Sequence, residues 1–480
     1  MSSPTFDRSP TTPPALPAIQ LYDTLTRGVQ PFETLEPGTV RLYVCGVTVY
    51  DSAHIGHGLS SIIFDVIKRY LLYRGYTVIH AQNFTDIDDK IIARANREGI
   101  APGDLTEQMI AQWHEDTAEL NIMPATIYPR ATRELPAIIA MIEQLIEQGA
   151  AYQADGDVYY RVRSFADYGK LSNRLIDDLR SGARIYIDER KDDPLDFALW
   201  KAAKPGEPSW PSPFSEGRPG WHIECSAMCT MHLGLQIDIH GGGTDLIFPH
   251  HENEIAQTEA ALGVDPFARY WVHNGLLQFS GEKMSKSLGN FVRIRELADS
   301  GLAMAFRLLV LQSHYRVPLT YSEDGLQGAA TGLARLRAAS VPLTTSDDLP
   351  LVDYPISVAA EQVRRRFHAA MSDDFNTPEA VAALFDLARQ LNRARTEGPD
   401  QSFTEAQATF LELIGVLGLI LEEPAAATGD SGPYIDLLVE VRDQLRAAKQ
   451  WALADSIRDR LGALGVTVED SPAGGTWRHG

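Results

Sequence analysis

Cysteine is scarce in this chain of 480 residues: Cys45, Cys225 and Cys229 are all it has. Three thiols are too few for a disulfide framework, and they fit a reducing compartment where cysteine packs or binds metal. No run of about 18 apolar residues occurs, and no basic segment followed by an apolar one opens the chain, so neither a membrane span nor a secretory leader is expected. Positive charge is also short. With 43 Lys and Arg against 64 Asp and Glu, the net charge is −21. Generic binding to nucleic acid or anionic lipid is disfavoured, and any contact with RNA must be local. These absences suit a cytoplasmic protein. What is present, 44% hydrophobic and 22% charged residues, is the composition of a folded chain, and its length calls for three or more domains.

Residues 1–18, rich in Ser, Thr and Pro, read as a disordered tail. The run RLYVCGVTVYD (41–51) is β-branched and aromatic. Behind it Ile62, Ile63, Val66, Ile67, Tyr70 and Leu71 recur at helical steps, and YTVIHAQNFTD (76–86) follows as a second strand. Strand, helix, strand is a βαβ unit, so a parallel sheet is expected, with ligands at the C-terminal edge of its strands. Cys45 to His57 fall at that edge. Residues 130–220 alternate strand-like runs (DVYYRV, RIYIDE) with polar turns and read as an insertion between two halves of the sheet, 19–129 and 221–300. From about 301 the pattern is helical. Breaks at 341–355 and 422–433 set off a segment 301–345, a helical domain 346–425 whose helix starts at Thr377-Pro378-Glu379, and a last module 434–480 containing Trp451 and Trp477. The fold class is α/β: a parallel-sheet domain with an insertion, then helical domains and a small C-terminal module.

His54-Ile55-Gly56-His57 lies where the first strand gives way to the helix. Free N–H groups there favour an anion, two imidazoles could donate to phosphate oxygens, and Gly56 admits close approach; a metal pair or ordinary helix-start histidines are the alternatives. Lys283-Met284-Ser285-Lys286-Ser287, between Gly281 and Gly289, is by itself a solvated basic turn. Paired with the first motif it becomes a loop that brings two ammonium groups to a triphosphate. Among metal ligands, Cys45, Cys225, Cys229, His250, His251, Glu252 and Glu254 are all eligible, and His250 and Glu254 lie one helical turn apart. A His-Glu-x-x-His protease is excluded, because position 255 is Ile255. Asp86, Asp88 and Asp89 precede a helix and read as caps, not as a Mg²⁺ cluster. Arg364, Arg365 and Arg366 are a basic cluster or a solvated face.

The two motifs, in that order on a split parallel sheet, resemble those of class I aminoacyl-tRNA synthetases. The stretches YVCGVTVYDSAHIGHG, NFTDIDDKII, GRPGWHIECSAM, DIHGGGTDLIFPHHENEIAQ and EKMSKSLGN are similar to the cysteinyl-tRNA synthetase family, over roughly 20–480. The resemblance implies a Rossmann-like catalytic domain, a stem-contact region at 301–345, a tRNA-binding helical domain and a C-terminal anticodon-binding module. It implies that L-cysteine is activated with ATP and Mg²⁺ and passed to tRNA(Cys), by a monomer. His54 and His57 would hold phosphates with Gly56, and Lys283, Ser285, Lys286 and Ser287 would form the mobile ATP loop. One Zn²⁺ would sit on Cys45, Cys225, His250 and Glu254, with Cys229 a packed thiol. Thr85, Trp221, His240 and Asp245 would line the substrate site, although Trp221 alone fits core packing equally well. Arg446, Trp451, Asp455 and Asp470 would read the anticodon, the other reading being amphipathic-helix residues.

Zinc answers a need of such an enzyme. Cysteine and serine differ by one atom, and pocket shape separates such pairs by only about 10–200-fold. A thiolate binds zinc well and a hydroxyl poorly, so no editing domain is required. Two other readings keep some of these features: a cysteine ligase that passes cysteine to an amino sugar, and a catalytically silent RNA- or zinc-binding protein.

Overall fold

The computed structural model describes residues 16–177, 190–279, 282–283, 292–343, 355–422, 432–471 and 474–479. Most of the 1–18 tail, the RIYIDE run and most of both interdomain breaks lie outside the described residues. The chain forms two compact units, Met1–Leu421 and Glu422–Gly480.

In the first unit four strands form a parallel sheet in the order Ala268–Asn274, Ile237–Gly243, Thr39–Thr48, Thr77–Thr85. Side chains of a strand alternate between faces. Val40, Leu42 and Val44 accordingly pack in one core with the helix Ile55–Tyr73, while Tyr43 and Cys45 belong to another with Cys225, Cys229 and Ile255. The period of two thus turns Cys45 toward the second half of the sheet. All six periodic apolar residues of the helix Ile55–Tyr73 are buried. Each contributes about 1.5–3 kcal/mol through burial. Strand pairing ends at Thr48 with Thr85, earlier than the expected 51, because residues 49–53 turn away into the helix.

Between the halves of the sheet stands a four-stranded antiparallel sheet, Ala151–Ala154, Asp157–Tyr160, Phe197–Ala202 and Gly217–Pro219. Val158, Tyr160, Leu199 and Trp200 pack there with Ile138 and Ile142 of the helix Leu135–Glu147. The helices Ile356–Ser372, Thr377–Glu397 and Phe403–Val416 share a core with the helix Ile55–Tyr73. Asn376 caps the second of these, accepting from the Glu379 N–H at 3.3 Å, with Pro378 in its first turn. The second unit is a pair of helices, Gly432–Ala447 and Trp451–Ala463, with a hairpin of Val466–Ser471 and Gly474–His479 around Ile435, Val439, Leu461 and Val466. Among the described residues no helix is long and apolar enough to cross a membrane.

Candidate active site and metal centre

Three local features bring the sulfur, nitrogen and oxygen ligands together. The pairing of Thr39–Thr48 with Thr77–Thr85 shifts register between Val44 and Val47, a bulge that aims Cys45 at the sheet edge. Gly46 makes it possible: a Cβ there would collide with the Asn83 carbonyl, while its N–H donates to Asn83 Oδ1 at 2.8 Å. Cys225 lies one turn into the helix Trp221–Leu233. His250 lies in the irregular turn Ile247–His251, with Phe248 extended, and Glu254 is in the first turn of the helix Glu252–Leu262.

Cys45, Cys225, His250 and Glu254 offer ligand atoms within 4.8 Å of one another. Cys45 Sγ is 3.8 Å from Cys225 Sγ and 3.2 Å from Glu254 Oε1, and His250 Nε2 is 3.0 Å from the same oxygen. Two sulfurs each about 2.3 Å from a tetrahedral zinc stand about 3.8 Å apart, so the donor set and its spacing fit that ion. The four side chains also shift one another's proton affinities. The Cys45 contact lowers the Cys225 thiol to about 6, while burial and Cys225 hold Cys45 well above the usual range. Burial alone would lower His250, yet the Glu254 carboxylate and Cys225 push it up to about 10. A second foursome, Cys45, His240, His251 and Glu254, also lies within 4.8 Å, so distance alone does not single out the first. Two thiolates and a nitrogen make the first the softer and the better zinc site. Cys229 is fully buried and belongs to neither set, and burial pushes its thiol up.

From Cys45 a cavity of about 400 Å³ runs to the start of the helix Ile55–Tyr73. His54, Gly56, His57, Gly243, Asp245 and Leu276 are among its lining residues. His54 caps the helix: its Nδ1 accepts from the N–H groups of Gly56 (3.1 Å) and His57 (3.4 Å), and His57 Nδ1 accepts from the His54 N–H (3.4 Å). Both rings therefore carry hydrogen on Nε2. Burial lowers His54 to about 4 and, with His54 adjacent, His57 to about 3, so both are neutral donors at neutral pH. Lys283 belongs to the short strand Glu282–Lys283, paired with Leu277–Phe279. Its side chain, and Ser285, Lys286 and Ser287, lie outside the described residues.

Thr85, Trp221 and His240 stand at the metal end and are not part of the cavity wall, unlike Asp245. Trp221 is 40% exposed, which removes the core-packing reading, and its ring stacks on His250 at 4.2 Å. His240 is fully buried, and its Nε2 donates to Glu254 Oε2 at 2.9 Å. Sequence reasoning missed several partners. His222 Nδ1 meets His250 Nδ1 at 2.9 Å, and a chain runs from His251 Nδ1 to His273 Nε2 and from His273 Nδ1 to Thr24 Oγ1, each link 2.8 Å. The Thr85 hydroxyl donates to Glu224 Oε2 at 2.9 Å. Burial above all, with Cys225 adjacent, raises the Glu224 carboxyl well above its ordinary range. His222 three residues before Cys225 and His251 beside His250 were the signal available for two of these; nothing in the sequence marked His273 or Glu224.

The acidic trio behaves as caps and ion pairs: Asp86 accepts from Thr132, Asp88 caps the helix Asp89–Glu98, and Asp89 pairs with Lys201 and Arg218. Arg364 pairs with Glu412 at 2.6 Å, Arg365 lies 3.9 Å from Glu361, and Arg366 pairs with Asp386 at 2.8 Å, so the basic cluster is matched by carboxylates. In the second unit Trp451 is 54% exposed at the start of its helix, with the Arg446 guanidinium 5.9 Å from its ring centroid. Asp455 pairs with Arg458 at 3.4 Å. Asp470 is in the strand Val466–Ser471, its side chain outside the described set.

Comparison with known proteins matches 31–331 to the family of class I (C) tRNA synthetase catalytic domains, 366–422 to the DALR domain and 429–478 to the cysteinyl-tRNA ligase anticodon binding domain. A cysteine–tRNA ligase of Dehalococcoides mccartyi is 53% identical over 462 residues, 96% of this chain and 99% of the relative. One from Thermococcus onnurineus is 48% identical over 473 residues, 96% and 99% of the two chains. In fold the chain is similar to Mycobacterium tuberculosis methionyl-tRNA synthetase in complex with methionyl-adenylate, with a TM-score of 0.58 at 16% identity over 84% of this chain and 94% of that one. A candidate metal-ligand cluster and a helix-start histidine pair, with Cys45, His54 and His57 lining one cavity, on a chain so matched along nearly its whole length, place this protein in the cysteine–tRNA ligase family of class I synthetases.

Proposed function

We propose that the chain joins L-cysteine to tRNA(Cys) in two steps within this cavity. The cysteine carboxylate attacks the α-phosphorus of ATP, bound with Mg²⁺, to give cysteinyl-adenylate and pyrophosphate; a hydroxyl of the tRNA's terminal ribose then takes the cysteinyl group and AMP leaves. The observation that carries this reading is the single cavity joining Cys45 to His54 and His57. Nε2–H groups of His54 and His57, with the backbone at Gly56, hold phosphate oxygens at a helix N-terminus. Lys283 and Lys286, on a loop with Ser285 and Ser287, neutralise charge that builds up as pyrophosphate departs. Thr85, Trp221, His240 and Asp245 frame the amino acid and the nucleoside. One Zn²⁺ on Cys45, Cys225, His250 and Glu254 would bind a substrate thiol in preference to a hydroxyl and so select cysteine over serine. Arg446, Trp451, Asp455 and Asp470 read the anticodon by stacking and edge contacts. The protein acts as a monomer in the cytoplasm.

The anticodon-domain match at 429–478 argues against transfer to an amino sugar, for which such a module has no use. The test is cysteine-dependent ATP–pyrophosphate exchange together with metal analysis. Wild-type protein exchanges and retains about one zinc, whereas Cys225→Ser loses zinc on dialysis. Unchanged zinc in that variant would remove Cys225 from the ligand set.

A further inference from the structure

The helix Asp89–Glu98 sets three cations beside the cavity. Its apolar side, Ile91, Ile92 and Ala95, is buried, while Lys90, Arg94 and Arg97, spaced four and three residues apart, form a stripe on another face. Two local preferences are broken there. Like charges at such spacings repel, and the first turn of a helix favours acids, a rule that Asp88 and Asp89 follow and Lys90 does not. Arg94 is offset, since its Nη1 donates to Asp51 Oδ1 at 2.7 Å and its Nε to Glu98 Oε1 at 2.6 Å. Arg97 has only the same Glu98, at 4.0 Å. Lys90 is exposed, and no carboxylate pairs with it among the described residues: Asp88 caps the helix and Asp89 pairs with Lys201 and Arg218. Its ammonium stands over the Tyr50 ring, 5.4 Å from the centroid. Tyr50 and Asp51 line the cavity, and Arg94 braces that stretch by donating also to the Tyr50 carbonyl at 2.6 Å. The stripe therefore borders the cavity wall, in a chain of net charge −21 whose arginines at 364–366 are matched by carboxylates. Positive charge left over beside a cavity suits an anion that reaches past the rim.

We propose that Lys90 and Arg97, on the rim braced by Arg94, bind backbone phosphates of the tRNA's 3′ strand as its terminal ribose enters the cavity. ATP lies wholly inside, at His54 and His57, whereas the tRNA strand must thread in with its phosphates trailing outside. Such contacts set the position of the strand and read no base. This rests on the transfer to tRNA proposed above.

The two half-reactions of the full chain separate this role from any in ATP binding. Cysteine-dependent ATP–pyrophosphate exchange needs no tRNA, and charging of tRNA(Cys) does. Lys90→Gln should leave exchange unchanged, lower kcat/KM for tRNA(Cys) by about tenfold, and flatten the slope of log kcat/KM against log salt concentration by about 0.7, the contribution of one single-strand phosphate. Lys90→Arg keeps the charge and should stay near wild type in both reactions. Exchange that falls in proportion with charging in Lys90→Gln would assign the lysine to ATP or to folding and overturn the proposal. Wild-type charging by Lys90→Gln, an unchanged salt slope, or a Lys90→Arg variant as impaired as Lys90→Gln would each overturn it too. Wild-type protein that exchanges pyrophosphate and charges no tRNA would overturn the transfer reading itself, and this assignment with it.

Discussion

The Nε2–H groups of His54 and His57 are donors without charge, because each Nδ1 accepts a backbone N–H and burial holds the rings near pKa 4 and 3. Their folded values lie below the unfolded value of about 6.5, so as pH falls the unfolded chain takes up protons first. The stability tied to these rings is full above pH about 6.5 and is lost as pH drops toward their folded values. Between pH 6 and 8 neither ring changes charge, and the exchange reaction's kcat/KM for ATP should show no inflection assignable to them; an inflection near 6.5 that disappears in His57→Asn would contradict this. In the proposed reaction Lys286 acts in the transition state. Lys286→Ala should lower the rate of adenylate formation by about 100-fold or more while cysteine affinity stays within about twofold, and equal losses in both would contradict the role. At this scale the sequence was informative where residue chemistry is distinctive: Cys45, Cys225, His250 and Glu254, grouped by the resemblance, do lie together in the structure. Glu224, His222 and His273 were not. A buried acid or imidazole looks like any core residue until the segment that faces it, from 28 to 139 residues away for the first two, is known.

Elements place those residues through small departures from regularity. A bulge at Gly46 aims Cys45, and the irregular turn Ile247–His251 sets His250 beside Glu254. The helix Ile55–Tyr73 carries His54 and His57 at its start and an anchor at its middle. Asp65 accepts from Arg69 Nε at 2.7 Å, from the Met123 N–H at 2.7 Å and from Arg307, whose guanidinium also donates to the carbonyls of Leu120 (2.9 Å) and Leu417 (2.8 Å). Arg307 is fully buried. Arg307→Met should destabilise the first unit by about 3–5 kcal/mol, because it leaves a buried carboxylate short of a partner; thermal unfolding followed by circular dichroism measures it, and an unchanged Tm would show that Arg69 alone suffices. Periodicity made this helix and its flanking strands legible, and Pro378 marked the helix that runs Thr377–Glu397. The bulge, the irregular turn and the Arg307 anchor were illegible, since each depends on a neighbour remote in sequence.

As a whole the molecule carries −21 and yet belongs to a family of tRNA ligases. Its three arginines at 364–366 are matched by carboxylates, so the proposed tRNA recognition calls for local surfaces, and the exposed Trp451 with Arg446 beside it is one proposed above. Composition indicated as much before the fold was known. Linking that surface to the chemistry is the central claim: activated cysteine leaves the cavity on tRNA, and zinc is needed to choose it. The direct measurement is attachment of labelled cysteine to acid-precipitable tRNA by the purified protein with ATP and Mg²⁺, before and after zinc removal and after zinc is restored. Cysteine should enter the tRNA fraction, fall away with the metal and return with it. Adenylate formation with no cysteine on tRNA, or charging indifferent to zinc, would contradict the account.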